Sequence, residues 1–294
     1  MKQIINNLID NLKNIPCKSN IDLVLDGGAF NGSYMIGSLL YFKELEKRNV
    51  IHIERISGCS IGSLLGLLYI GNHLSIQEKF YKYIRYSLTK GNLNSYCKVL
   101  SIIKDKLPKY FYKKCNNVLY ITFYNIKNGK QVVTHSYKNN NHLFQCIYCS
   151  SFLPFLMNGN LCYHHKYIDG LHPYTFQKSE FKSVLFIDLI QQNITKMLII
   201  KDEVNNSERI MKGILETHAY FFSSSPCSLV SNIYEYSLSN GIKQSIHSIR
   251  VYFTKIMVYL LSLYLKNRKI LNYTNNIEHC VISIFKILLK YNVS

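Results

Sequence analysis

The chain of 294 residues has no tryptophan, only five prolines, and 17 acidic side chains against 35 basic ones. It shows no internal repeat, no low-complexity tract and no Pro- or Gly-rich linker. Those absences exclude solenoid and fibrous architectures and leave no sharp domain boundary. The nine cysteines are an odd number without the regular spacing of a disulfide framework. A continuous apolar leader is also missing at the start, where Ile4, Ile5, Leu8, Ile9 and Leu12 recur at helical spacing instead. Together these features predict an amphipathic helix within residues 1–20, reduced thiols, and a cytoplasmic rather than secreted setting. The shortage of acids sets a formal net charge of +18, which predicts an anionic partner or surface. A hydrophobic content of 48% is enough to bury a large core.

What is present is concentrated in two glycine-bearing turns. Gly58-Cys59-Ser60-Ile61-Gly62 follows a short apolar run through Ile51, Ile53 and Ile56 and opens a helical segment over 63–69. This is the strand–turn–helix setting that projects a serine hydroxyl at a helix N-terminus, where free N–H groups favour developing negative charge. Upstream, Leu23-Val24-Leu25-Asp26-Gly27-Gly28-Ala29-Phe30-Asn31-Gly32 reads as a buried strand and a glycine-rich turn. A helix then follows from about Ser33 through Leu45. Such a turn brings backbone N–H groups to a phosphate or to an oxyanion. A dinucleotide turn requires an acidic residue at the end of the next strand. That strand ends instead in the Ser60 turn, so the oxyanion reading is the better one.

Two further signatures lie downstream: Cys149-Ser150-Ser151-Phe152-Leu153-Pro154, and Tyr167-Ile168-Asp169-Gly170. In this order the four motifs resemble those of the patatin-like phospholipases. The resemblance extends from about Ile21 to Ile190 and includes a strand–turn–strand at 118–125 and 129–133. It implies an α/β three-layer fold with a mainly parallel central sheet flanked by helices. It also implies a Ser60–Asp169 dyad, with Ser60 as nucleophile and Asp169 as general base. Gly27, Gly28 and Ala29 would line the oxyanion hole, and Gly32, Gly58, Gly62 and Gly170 would support the turns. No metal or other cofactor is implied, and the substrate would be a phospholipid or lysophospholipid. Three departures stand out: Ala29 replaces a third glycine, Asn31 replaces a cation, and Leu171 follows Gly170 where a second glycine is usual. The alternative to an active hydrolase is a catalytically weak relative that keeps the fold and binds lipid or membrane.

Between Lys79 and Lys114 there are ten Lys or Arg and a single acid, Asp105, interleaved with tyrosines such as Tyr83, Tyr86 and Tyr110. This mixture suits an anionic membrane interface and peripheral association with it; nucleic acid is not the expected partner. Cys146, Cys149, Cys162, His164 and His165 follow a zinc-like order, but the catalytic signatures already account for that segment, so no metal is expected. Residues 182–190 and 197–200 read as further strands. From Ser207 onward the pattern is helical, and Val251 to Leu265 is shorter than a membrane span requires, which favours a packed helix. Interfacial association with Ile277 to Leu289 is a second reading of it. The resulting division is an N-terminal helix (1–20), a catalytic domain (21–204) and a mainly helical C-terminal extension (205–294).

Overall fold

The computed structural model describes residues 1–12, 19–89, 93–190, 205–223, 225–235 and 238–267, together with Gln192, Ile200, Glu203 and Ser283. The strand expected at 197–200, apart from Ile200, and the segment Ile277 to Leu289, apart from Ser283, lie outside the described residues. The amphipathic start forms α1 (Lys2–Asp10), which buries Ile5 and Ile9. The apolar run before the first glycine turn is β1 (Ser19–Leu25), buried from Ile21 onward as befits a central parallel strand. A short 3₁₀ turn (Ala29–Asn31) leads into α2 (Gly32–Lys47). The Ser60 motif joins β2 (Ile51–Cys59) to α3 (Ile61–Ile70). The basic segment forms three helices, α4 (Gln77–Thr89), α5 (Ser95–Asp105) and α6 (Phe111–Cys115).

The strand–turn–strand is an antiparallel pair, β3 (Leu119–Asn125) and β4 (Lys130–Thr134), and α7 (Asn140–Ser150) follows. Then come β5 (Tyr167–Ile168), β6 (Lys182–Ile187), α8 (Ser207–Ser223), β7 (Val230–Asn232) and α9 (Leu238–Asn267). The sheet order is β4-β3-β2-β1-β6-β7, with β5 on β3. β1 is parallel to β2 and β6, and β2 is parallel to β3, so the antiparallel pairings lie toward the edges. This is the mostly parallel, helix-flanked sheet expected from the motifs.

Strand alternation divides the apolar residues between the two sides of the sheet. Leu23, Leu25, Leu185 and Ile187 join the main core, whereas Val24, Val184 and Phe186 form a smaller cluster with Phe176. Residues from α1 to α8 all enter the main core. The core therefore runs across the boundary drawn at 204/205: Ile210 and Ile214 of α8 are buried in it, and β7 pairs with β6. α8 lies so close to α2 that a Cβ at Gly37 would collide with the Ile210 carbonyl. Among the described helices, α9 alone stands apart, with Val258 packing in a separate cluster beside Tyr124 and Ile168.

Candidate active site

Ser60 follows the last residue of β2 and caps α3, with φ +51° and ψ −126°. That left-handed conformation is strained for a residue with a Cβ, and it is the geometry of a nucleophile elbow. The elbow also requires α3 to begin hard against β1. A Cβ at Gly62 would lie 2.6 Å from the Asp26 carbonyl oxygen, so no other residue fits there. Gly58 belongs to β2, and Gly32 opens α2. Cys59 beside the serine is buried, and burial raises its thiol pKa well above the usual range, which leaves it an inert neighbour.

Asp169 is brought to Ser60 by sheet pairing. Tyr124 of β3 pairs with Gln131 of β4 on one edge and with Ile168 on the other. The second edge is the one β2 occupies up to the Cys59–Thr122 pair. β5 thus takes up the β3 edge just past the end of β2, and its next residue is Asp169. Ser150, at the end of α7, ties the two loops together. Its carbonyl accepts the N–H of Ser60 at 3.1 Å and of Gly170 at 3.1 Å, and its Oγ accepts the Ser60 N–H at 2.9 Å. The S-S-x-x-P signature pointed to this segment but not to the bridging task of Ser150.

Asp169 is buried. Its Oδ1 accepts the Leu171 N–H at 2.8 Å, while Oδ2 has no closed hydrogen bond. Burial pushes the carboxyl up to about 6, against the Leu171 N–H, the nearby Ser60 hydroxyl and Arg250, all of which favour the ionised form. A carboxylate held near that value can exchange a proton close to neutral pH. His172, three residues on, is pushed down to about 4, chiefly by burial, with Arg250 and Lys255 adding to the effect. Its Nε2 lies 2.8 Å from the Tyr124 hydroxyl, a structural placement.

The glycine turn faces the same end of the sheet. Gly27 N–H donates to its neighbour Asp26 Oδ1 at 2.8 Å and is therefore occupied. Among the described residues, no hydrogen bond takes the N–H of Gly28 or Ala29. Ala29 has φ +42° and Leu171 φ +56°, so two of the positions where glycine is usual do carry left-handed backbone. Asn31 does not leave its loop without a cation. Arg209 of α8 donates from Nη1 to the Phe30 carbonyl at 2.6 Å, to Asn31 Oδ1 at 3.3 Å and to Glu203 Oε1 at 2.6 Å. Glu203 Oε2 in turn accepts the Ser33 hydroxyl at 2.6 Å, and burial raises the Glu203 carboxyl pKa. The missing local cation is supplied from a helix distant in sequence.

A second arginine reaches in from α9. Arg250 pairs with Asp26 Oδ2 at 2.8 Å and donates to the Leu171 carbonyl, linking the glycine turn to the aspartate turn. Asp26 is fully buried, and desolvation raises its pKa in opposition to Arg250. No sequence signal marked Arg209 or Arg250, since each lies outside every motif. A narrow cleft beside Ser60 is lined by Phe30, Ile61, Phe80, Leu93 and Met157, a surface suited to an acyl chain. Among the described residues, no three His, Cys, Asp or Glu side chains converge on a possible metal position. Cys146 and Cys149 are buried on α7 instead.

Fold and site together define an α/β domain of the lipid hydrolase and acyltransferase class. A family model described as Patatin-like phospholipase matches residues 23–172, and the chain belongs to that family. Curated relatives include the omega-hydroxyceramide transacylase of Mus musculus, 25% identical over 139 residues, which covers 44% of this chain and 23% of the relative. The omega-hydroxyceramide transacylase of Homo sapiens is 23% identical over 137 residues, covering 44% of this chain and 26% of the relative. The chain spans about a quarter of the length of these relatives.

Proposed function

We propose that the chain is a serine-dependent carboxylic ester hydrolase of membrane lipids, of phospholipase A or lysophospholipase type. The observation that carries this reading is a buried Asp169 oxygen without a closed hydrogen bond, next to a serine held in an elbow. Ser60 Oγ attacks the ester carbonyl carbon and passes its proton to Asp169. The N–H groups of Gly28 and Ala29 receive the oxyanion; Gly27 contributes through the turn itself, since its N–H is engaged by Asp26. Asp169 returns the proton to the departing alkoxide as the acyl–serine ester forms. It then takes a proton from water, whose oxygen attacks the acyl carbon, and returns that proton to Ser60 Oγ as the serine departs and the fatty acid is released. The apolar cleft holds the acyl chain, and no step needs a metal or cofactor. The setting is peripheral, at an anionic membrane surface.

A second reading is supported by the names of the curated relatives, both transacylases. The first half-reaction is then the same, and a lipid hydroxyl replaces water in the second. The test is labelling with a fluorophosphonate probe in wild type, Ser60→Ala and Asp169→Asn, with the fold of each checked by circular dichroism. Loss of labelling in the serine variant and slowed labelling in the aspartate variant is the expected result. A folded wild type that fails to label with vesicles present would overturn catalysis in favour of a lipid-binding protein without activity.

A further inference from the structure

α9 has two unlike faces. Its inner stripe, Arg250, Thr254, Val258, Leu261 and Leu265, recurs every three to four residues and packs on the catalytic end of the domain. Gln244–Asn267 is long and apolar enough to cross a membrane. Yet the stripe and the Arg250–Asp26 ion pair hold it along the domain. Its outer face exposes Ile249, Tyr252, Phe253, Met257, Tyr259 and Leu260, each more than half exposed. An apolar patch of this extent on a soluble surface marks an interaction site.

Charge indicates what covers it. Residues 238–267 contain four Lys or Arg and no acid. Beside the outer face, α9 and the β3–β4 turn enclose a groove of about 880 Å³ that Lys127, Lys130, Lys255 and Lys266 line, with no carboxylate among its described lining residues. Tyr259 belongs to both the groove and the exposed face. Tyrosine at the boundary between an apolar face and a cluster of lysines matches the layering of a bilayer surface, with acyl chains below and phosphates above. The groove reaches His172, next to the turn that carries Asp169.

We propose that the outer face of α9, with its lysine groove, is the surface on which this protein sits on an anionic phospholipid bilayer. The apolar face enters the acyl boundary and the groove holds lipid phosphates. Arg250 on the opposite face keeps the seated helix joined to the glycine and aspartate turns. The proposal deepens the lipid-ester reading, but its test involves no chemistry, so the two fail separately.

Because the chain has no tryptophan, Phe253→Trp adds a single reporter on this face. The full chain carrying it is mixed with vesicles of phosphatidylcholine and phosphatidylglycerol (4:1), and with phosphatidylcholine alone. A blue shift with the mixed vesicles that brominated acyl chains quench is the expected result, much weaker with the neutral ones. Adding Lys127→Glu and Lys130→Glu weakens binding by at least on the order of tenfold. An unshifted emission from a folded chain overturns the proposal, as does equal binding by the lysine variant. Emission already blue without lipid, in a chain that light scattering finds dimeric, overturns it in favour of self-association. Fluorophosphonate labelling of the same samples reports separately on the serine.

Discussion

At the scale of single residues, Asp169 makes the sharpest predictions. In the proposed role of base it must be ionised, so kcat/KM should rise with pH through about 6, and an acid limb placed near 4 would count against burial as the controlling influence. The same shift bears on stability. Between about 4 and 6 the unfolded chain has lost this proton while the folded one retains it, so stability falls as pH rises across that window. Above it the penalty is constant, on the order of 3 kcal/mol. Asp169→Asn should therefore unfold at a higher urea concentration than wild type at pH 7.5, with the gap closing below pH 4. Ala29 offers a second case. Its φ of +42° strains a residue with a Cβ by roughly 1–2 kcal/mol, which exceeds the added unfolded-state freedom of a glycine. Ala29→Gly should stabilise the fold by up to about 1 kcal/mol in urea denaturation, the reverse of the usual effect of glycine.

At the scale of elements, the site depends on how closely α8 lies on α2. That contact carries Arg209 to the glycine turn and replaces the cation that Asn31 does not supply. Gly37→Ala would drive a methyl group into the α8 backbone and should destabilise the protein by roughly 3 kcal/mol or more. The same change at Gly241 on α9 meets nothing within 4 Å and should stabilise by about 0.5–1 kcal/mol. Thermal melts of the two variants check both signs; equal effects would mean that α8 does not pack as described.

At the scale of the whole molecule, a net charge of +18 draws the protein toward any anionic surface, whichever face finally seats there. α4 to α6 contribute much of that charge, whereas the exposed apolar face belongs to α9. The two contributions are separable. Reversing Lys109, Lys113 and Lys114 should weaken binding to anionic vesicles and make its loss with salt shallower, since fewer attractive charges remain to be screened. In the Phe253→Trp background it should leave the emission maximum of the bound fraction unchanged. A changed maximum would show that the α4–α6 surface alters how α9 is seated.

What the sequence determined by itself is local: where strands stop, where turns demand glycine, and which serine the elbow presents. Such features are legible because a tight turn or an elbow is decided by a few neighbouring residues and their backbone limits. The pairing of β5 beyond β2, which puts Asp169 beside Ser60, was implied only by family resemblance. Arg209, Arg250 and the bridging carbonyl of Ser150 left no trace in the order of residues. A buried arginine and a surface one look alike until packing decides which carboxylate or carbonyl each can reach. The tertiary structure also took the N–H of Gly27 for Asp26 and drew α8 into the main core and β7 into the sheet. The first is a bond between neighbours whose carboxylate Arg250 holds from α9; the second depends on contacts between segments far apart in the chain, where burial and hydrogen-bond satisfaction outweigh local preference.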